Sequence, residues 1–246
     1  MATFLIYLFC IAAAEVTTVI IDPIWGIVFY FFILVATLLH PALQDKRRTN
    51  WLVLSLSLVP IIRIISLAMP LTGIPQIWWY PIIYLPLLVA TVVLIRILGY
   101  SRSDLGLNWG NWLVQLVIGA SGIVLGLIEY MILKPESLVT ELTLQSILLP
   151  AFLLIITTGF VEELIFRGVL QRAAMASFNR LGIVFISLVF AILHIGFLSI
   201  IDVIFVFVIA LLFGWIVKKT GSLFGVSLAH GVINTMLFVV APFVLS

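Results

Sequence analysis

About nine apolar stretches, each close to 20 residues long, follow one another along the 246-residue chain. A helix needs about 20 apolar residues to cross the hydrocarbon of a bilayer. Lipid cannot satisfy open backbone groups, so only helices and closed barrels span it. Barrel strands alternate in polarity over about 10 residues, and these runs do not alternate. The chain is therefore expected to be all-α, a polytopic transmembrane helical bundle of about 8–9 spans. Composition agrees: 64% of residues are hydrophobic and 9% charged, against about half and a quarter in a soluble domain. A net charge of +2 gives no reason to expect nucleic acid as a partner. Membrane lipids are the expected surroundings.

The runs are separated by short polar or proline-containing breaks. The first, Ala2 to Ile21, has no basic leader region and is read as a retained helix rather than a signal peptide. Its Cys10 is the chain's one cysteine and has no internal disulfide partner. Asp22-Pro23 leads to the second run, which ends near His40 and the cluster Asp45-Lys46-Arg47-Arg48. The third spans Trp51 to Met69, and the fourth, Ile77 to Leu98, opens with aromatics suited to a membrane interface. The fifth, Trp112 to Leu133, carries Gly119, Gly122 and Gly126, as close helix packing requires. The sixth begins near Leu142 and continues helically past Phe166 toward Asn179. The seventh runs from Leu181 to Ile200, the eighth from Asp202 to Val217, and the ninth from Leu223 to Leu245. A re-entrant kink at Ser199 to Asp202 would reduce the count to eight.

Basic residues predict the orientation. With the N-terminus in the cytoplasm and nine spans, Lys46, Arg47, Arg48, Arg96, Arg102, Arg167, Arg172, Arg180, Lys218 and Lys219 all fall inside. Only Lys134 falls outside, with Arg63 within a span. This is the bias expected of cytoplasmic loops. It places the protein in the cell membrane with its C-terminus outside if there are nine spans.

Ionisable residues are scarce in these runs, and intramembrane ones usually face a protein interior or a water-filled cavity. The sixth run carries Glu162, Glu163 and Arg167; the seventh carries His194; the ninth carries His230 and Asn234, four apart on one face. Glu162 precedes Arg172 by ten residues, His194 follows Gly182 by twelve and His230 follows Ser222 by eight. At 1.5 Å per residue these intervals are about 15, 18 and 12 Å, a similar depth from one face.

A carboxylate beside imidazoles can take a proton from water. A histidine and an asparagine amide can donate to a developing oxyanion. No serine or cysteine forms an evident triad with these groups, so attack of an activated water on an amide carbonyl is the natural reaction. A zinc ion held by Glu162, His194 and His230 is the competing arrangement, although the histidines lack the His-Glu-x-x-His spacing of metalloproteases. Glu163 and Arg167, at i and i+4, can pair and support the acid doublet.

Three motifs resemble the CPBP family of CAAX proteases and bacteriocin-processing enzymes, also called Abi. They are Glu162-Glu163-x-x-x-Arg167, Phe190-x-x-x-His194 and His230-x-x-x-Asn234, in that order. The resemblance implies a core at 142–246, the C-terminal four helices, preceded by N-terminal transmembrane helices at 1–141. It implies an intramembrane endopeptidase of the type II CAAX prenyl protease kind, acting on a peptide or a prenylated, membrane-associated protein. By the same resemblance, Glu162 and His194 activate water, His230 and Asn234 stabilise the oxyanion, and Glu163 and Arg167 support them. The family has also been labelled metalloendopeptidase, so zinc stays as the alternative to a cofactor-free mechanism. Two other readings are a non-catalytic scaffold or bacteriocin-immunity protein on the same fold, and a proton-coupled transporter. Glu15, Arg63, Glu129 and Asp202 would serve the transporter reading, but the halves of the chain do not repeat as carriers often do.

Overall fold

The structure is a computed structural model describing residues 2–43 and 47–245, with backbone alone for Ala2 and for residues 47–49. Of the basic cluster that ends the second run, Asp45 and Lys46 lie outside the described residues. Every regular element among the described residues is helical. We number the helices α1 (Thr3–Ile21), α2 (Pro23–Leu43), α3 (Asn50–Ala68), α4 (Gln76–Leu98), α5 (Trp112–Leu133), α6 (Leu144–Phe178), α7 (Leu181–Ile192), α8 (Ile200–Thr220) and α9 (Phe224–Val244). All but α7 are long and apolar enough to cross a membrane. The protein is a polytopic transmembrane helical bundle.

The seventh helix is shorter than the 20 residues its sequence suggests. It has 12 residues and passes into a 3₁₀ turn at Ile195–Phe197, so eight helices among the described residues are of full spanning length. His194 ends it. The His194 backbone N–H donates to Ala191 O at 3.0 Å, three residues back. The ring Nδ1–H donates to Phe190 O at 2.9 Å, the carbonyl an α-helix would pair with the backbone of His194. A side chain thus replaces the backbone donor, and Leu198 follows with φ +55°.

The chain forms two compact units, interleaved along the sequence. One comprises Met1–Pro70, Val89–Gly99 and Val169–Gly214. Here α1 and α2 pack closely, because Gly26 leaves no Cβ to meet Thr18, whose Cα would lie 2.9 Å away. A polar node ties three helices together. Glu15 on α1 is fully buried and accepts from Tyr30 Oη on α2 at 2.6 Å and from Arg63 Nη2 on α3 at 2.9 Å.

The second unit comprises Leu71–Leu88, Tyr100–Gly168 and Trp215–Ser246. Lipid removes most of the hydrophobic drive between helices, so packing depends on small residues that let backbones approach. α9 is held by α5 through this device. Gly119, Gly122 and Gly126 face Leu228, Ala229 and Ile233, and a Cβ on Gly126 would stand 2.6 Å from Ile233 O. The expectation drawn from that glycine row is met. Asn111 caps α5, accepting from Leu113 N at 3.1 Å. Gln115 Oε1 then accepts from Gly225 N at 2.8 Å and fixes the start of α9. α6 begins with a reciprocal cap between Thr143 and Ser146. It continues without interruption to Phe178, past the acidic doublet, as the sequence suggests.

Candidate functional site

The doublet lies on a stretch of α6 whose backbone is wound as a π-helix, over Ile155–Glu162 and again over Leu164–Leu170. Such i→i+5 stretches are rare and often mark functional positions. The wider turn reduces the rotation between neighbouring side chains. It lets two consecutive carboxylates approach one partner, which the roughly 100° step of an α-helix opposes. Hydroxyls support the widened ladder: Thr157 Oγ1 donates to Leu153 O at 2.6 Å and Thr158 Oγ1 to Leu154 O at 2.7 Å.

Two glycines bring that stretch against α9. A Cβ on Gly159 would sit 2.5 Å from Ser227 O and 3.0 Å from Gly231 N, and one on Gly231 would sit 2.5 Å from Ile155 Cα. Glu163 is four residues after Gly159, and His230 immediately precedes Gly231. The close approach therefore sets acid against imidazole. Glu163 Oε1 accepts from His230 Nδ1 at 2.9 Å and from Arg167 Nη1 at 2.8 Å. The other edge of the imidazole faces the neighbouring acid, with His230 Nε2 3.8 Å from Glu162 Oε2. The ring thus spans the two carboxylates.

The acids differ in surroundings. The Glu163 side chain is wholly buried and bound to a guanidinium, whereas that of Glu162 keeps 18% exposure. Of the two, Glu162 is the one a water can reach. Arg167, expected at the cytoplasmic face, is instead 4% exposed and belongs to this cluster; its pairing with Glu163 overrides its value as an orientation signal.

Sequence reasoning missed one partner. Tyr84, eight residues into α4, donates its hydroxyl to Glu162 Oε1. The aromatics opening α4 resemble an interfacial belt, which hides a phenol deeper along the same helix. The available signal was chemical: a phenol set among apolar residues needs an acceptor.

Glu162, Glu163, Arg167 and His230 are therefore brought together. Asn234 lies one turn beyond His230 on α9 and is half-buried. His194 belongs to the first unit, where Phe190 and Phe197 flank its ring at 4.9 and 5.9 Å between centroids. Both histidines are engaged through Nδ1, and in the neutral ring this leaves a lone pair at Nε2. Among the described residues, no three His, Cys, Asp or Glu side chains are grouped to hold a metal ion.

An apolar cavity of about 410 Å³ opens between α5, α6 and α9, lined by Trp112, Leu116, Ile156, Phe160, Phe224 and Leu228. Ser227 also lines it, three residues before His230.

Residues 144–236 match the model of a family described as type II CAAX prenyl endopeptidase Rce1-like. No curated protein and no solved structure matches the chain. The matched stretch begins with α6 and contains Glu162, Glu163, Arg167, His194, His230 and Asn234. Together with the three motifs, that match makes this stretch similar to the CAAX-type membrane proteases of the CPBP family.

Proposed function

We propose that the protein is an intramembrane endopeptidase that cuts a membrane-associated peptide or protein with a water activated by Glu162. The observation that carries this reading is the asymmetry of the doublet. Glu163 is occupied by Arg167 and His230, while Glu162 is the more exposed acid and faces the far edge of the same imidazole.

Glu162 takes one proton from water as the water oxygen bonds to the scissile carbonyl carbon. The C=O π electrons move to oxygen and form a tetrahedral oxyanion. His230 and Asn234 are the proposed donors to that oxyanion. His230 donates from Nε2 in its imidazolium form, with Nδ1–H held by Glu163, and two carboxylates offset the charge of that form. As the C–N bond breaks, the proton on Glu162 passes to the leaving amine. His194 is assigned to the water side by the motif it completes. Arg167 fixes Glu163, which orients the imidazole.

The core is proposed to be 142–246, with residues 1–141 forming the membrane-embedded surroundings. The N-terminus is proposed to be cytoplasmic, and the substrate to reach the site from that face or laterally from lipid. The apolar cavity beside α9 suits a substrate with a hydrophobic segment or chain, and the prenylated tail named in the family description is the probe to try first.

The test is cleavage of a fluorogenic peptide bearing a farnesylated cysteine followed by three residues, by protein purified in lipid. Glu162→Gln and His194→Ala are expected to lose activity by about 100- to 10,000-fold, the range for a positioned acid–base group, with unchanged thermal unfolding. Full activity in both variants would end the proposal. Chelator is expected to leave the rate unchanged; loss restored by zinc would replace the cofactor-free mechanism with a metal-dependent one.

A further inference from the structure

We propose that Tyr84 is a positioning residue of this site that decides which oxygen of Glu162 acts as the base. The inference rests on the endopeptidase reading above. α4 lies outside the matched residues 144–236, so the motifs assign it no role.

Glu162 Oε1 accepts from the Tyr84 hydroxyl, while Oε2 faces His230 Nε2 at 3.8 Å. A phenol carries one proton and can donate only one such bond. With that bond made to Oε1, the lone pairs of Oε2 point to the imidazole side, where a water between them would lie. Deprotonation of water then delivers the proton to Oε2. Tyr84 neither gains nor loses a proton in the cycle: it donates to Oε1 before the transfer, while Oε2 carries the O–H after it, and the same oxygen returns the proton to the leaving amine.

The contact also restricts the side chain. Glutamate has three rotatable torsions, and its terminal carboxylate torsion is broad. On α6 itself, Arg167 hydrogen-bonds Glu163. The hydroxyl of Tyr84 adds a restraint on Glu162 from another helix. A positioned base matters because small misplacements of reacting groups are costly in rate.

The experiment compares wild type, Tyr84→Phe and Glu162→Gln on the farnesylated peptide, with kcat and KM measured separately and thermal unfolding recorded for each. Tyr84→Phe keeps the ring and its packing. It is expected to lower kcat about 10- to 100-fold, the scale of one hydrogen bond to a charged group, with KM within twofold and unfolding unchanged. A packing role would leave kcat intact in Tyr84→Phe. That result, with Glu162→Gln inactive, would overturn the positioning role and leave the endopeptidase reading standing. Glu162→Gln as active as wild type would overturn both. Should Tyr84→Phe fail to fold, Tyr84→Met, which also lacks the hydroxyl, carries the same criterion.

Discussion

Two buried nodes among the described residues are built from glutamate, arginine and tyrosine. In the first, Glu15 meets Arg63 and Tyr30 across three helices. In the second, Glu163 meets Arg167, and the extra acid Glu162 meets Tyr84, with His230 between the carboxylates. The first node is closed: one carboxylate, one guanidinium, and a phenol on the remaining lone pairs. Such a set holds helices together and has no acid left for chemistry. The second repeats the acid–guanidinium pair and adds a second carboxylate plus an imidazole, a group suited to give or take a proton. In the proposed reaction, the surplus acid separates a node that moves a proton from one that only packs.

The comparison predicts opposite responses to losing an acid. Glu162→Gln should abolish cleavage and leave unfolding unchanged, as set out above. Glu15→Ala should lower stability by about 3 kcal/mol, the low end for breaking a buried ion pair because Arg63 keeps 17% exposure, and leave kcat on the farnesylated peptide within twofold. Unfolding in detergent and the cleavage assay read both. A Glu15→Ala variant that unfolds normally but does not cleave would place the first node in the reaction and break the distinction.

How each node is held gives the next test. Gly159 allows α6 to reach α9 beside the second node, and Gly26 allows α2 to reach α1 near the first. An added methyl at either position meets backbone or Cα atoms of the facing helix, and overpacking of this kind costs about 1–3 kcal/mol. Gly26→Ala should lower stability only. Gly159→Ala should lower stability by a similar amount and also reduce kcat, because the same displacement carries Glu163 away from His230. Equal kcat in the two variants would show that the α6–α9 separation does not set the geometry of the site.

Much of the second node was legible in the sequence and little of the first. Glu162, Glu163, His230 and the glycine row of α5 stand out because polar or small residues interrupt otherwise continuous apolar runs. The partnership of His230 with Glu163 was not legible. Helical periodicity assigns faces, but a π-wound backbone changes which neighbours share one. Tyr84 was hidden by the interfacial reading of nearby aromatics, and its acceptor lies 78 residues away. Glu15 and Arg63 were visible as charges within spans, but their pairing across 48 residues is a property of packing. The end of α7 was missed because a side-chain donor took a carbonyl that periodicity assigns to the backbone.

Asp202 extends the comparison to an acid with neither kind of partner. It is fully buried in the first turn of α8, and neither carboxylate oxygen has a hydrogen-bond partner among the described residues. The start of a helix favours negative charge by only about 0.3–1 kcal/mol at ordinary sites, while an unpaired buried charge costs more. Asp202→Asn removes the charge and nearly keeps the volume. We expect stability to be equal or higher by up to about 1 kcal/mol, with cleavage unchanged, the smallest effect of the series. Thermal unfolding and the cleavage assay check it. A marked loss of stability would mean that Asp202 has a cationic or proton-donating partner, and would move it from the unpaired class to the closed class represented by Glu15.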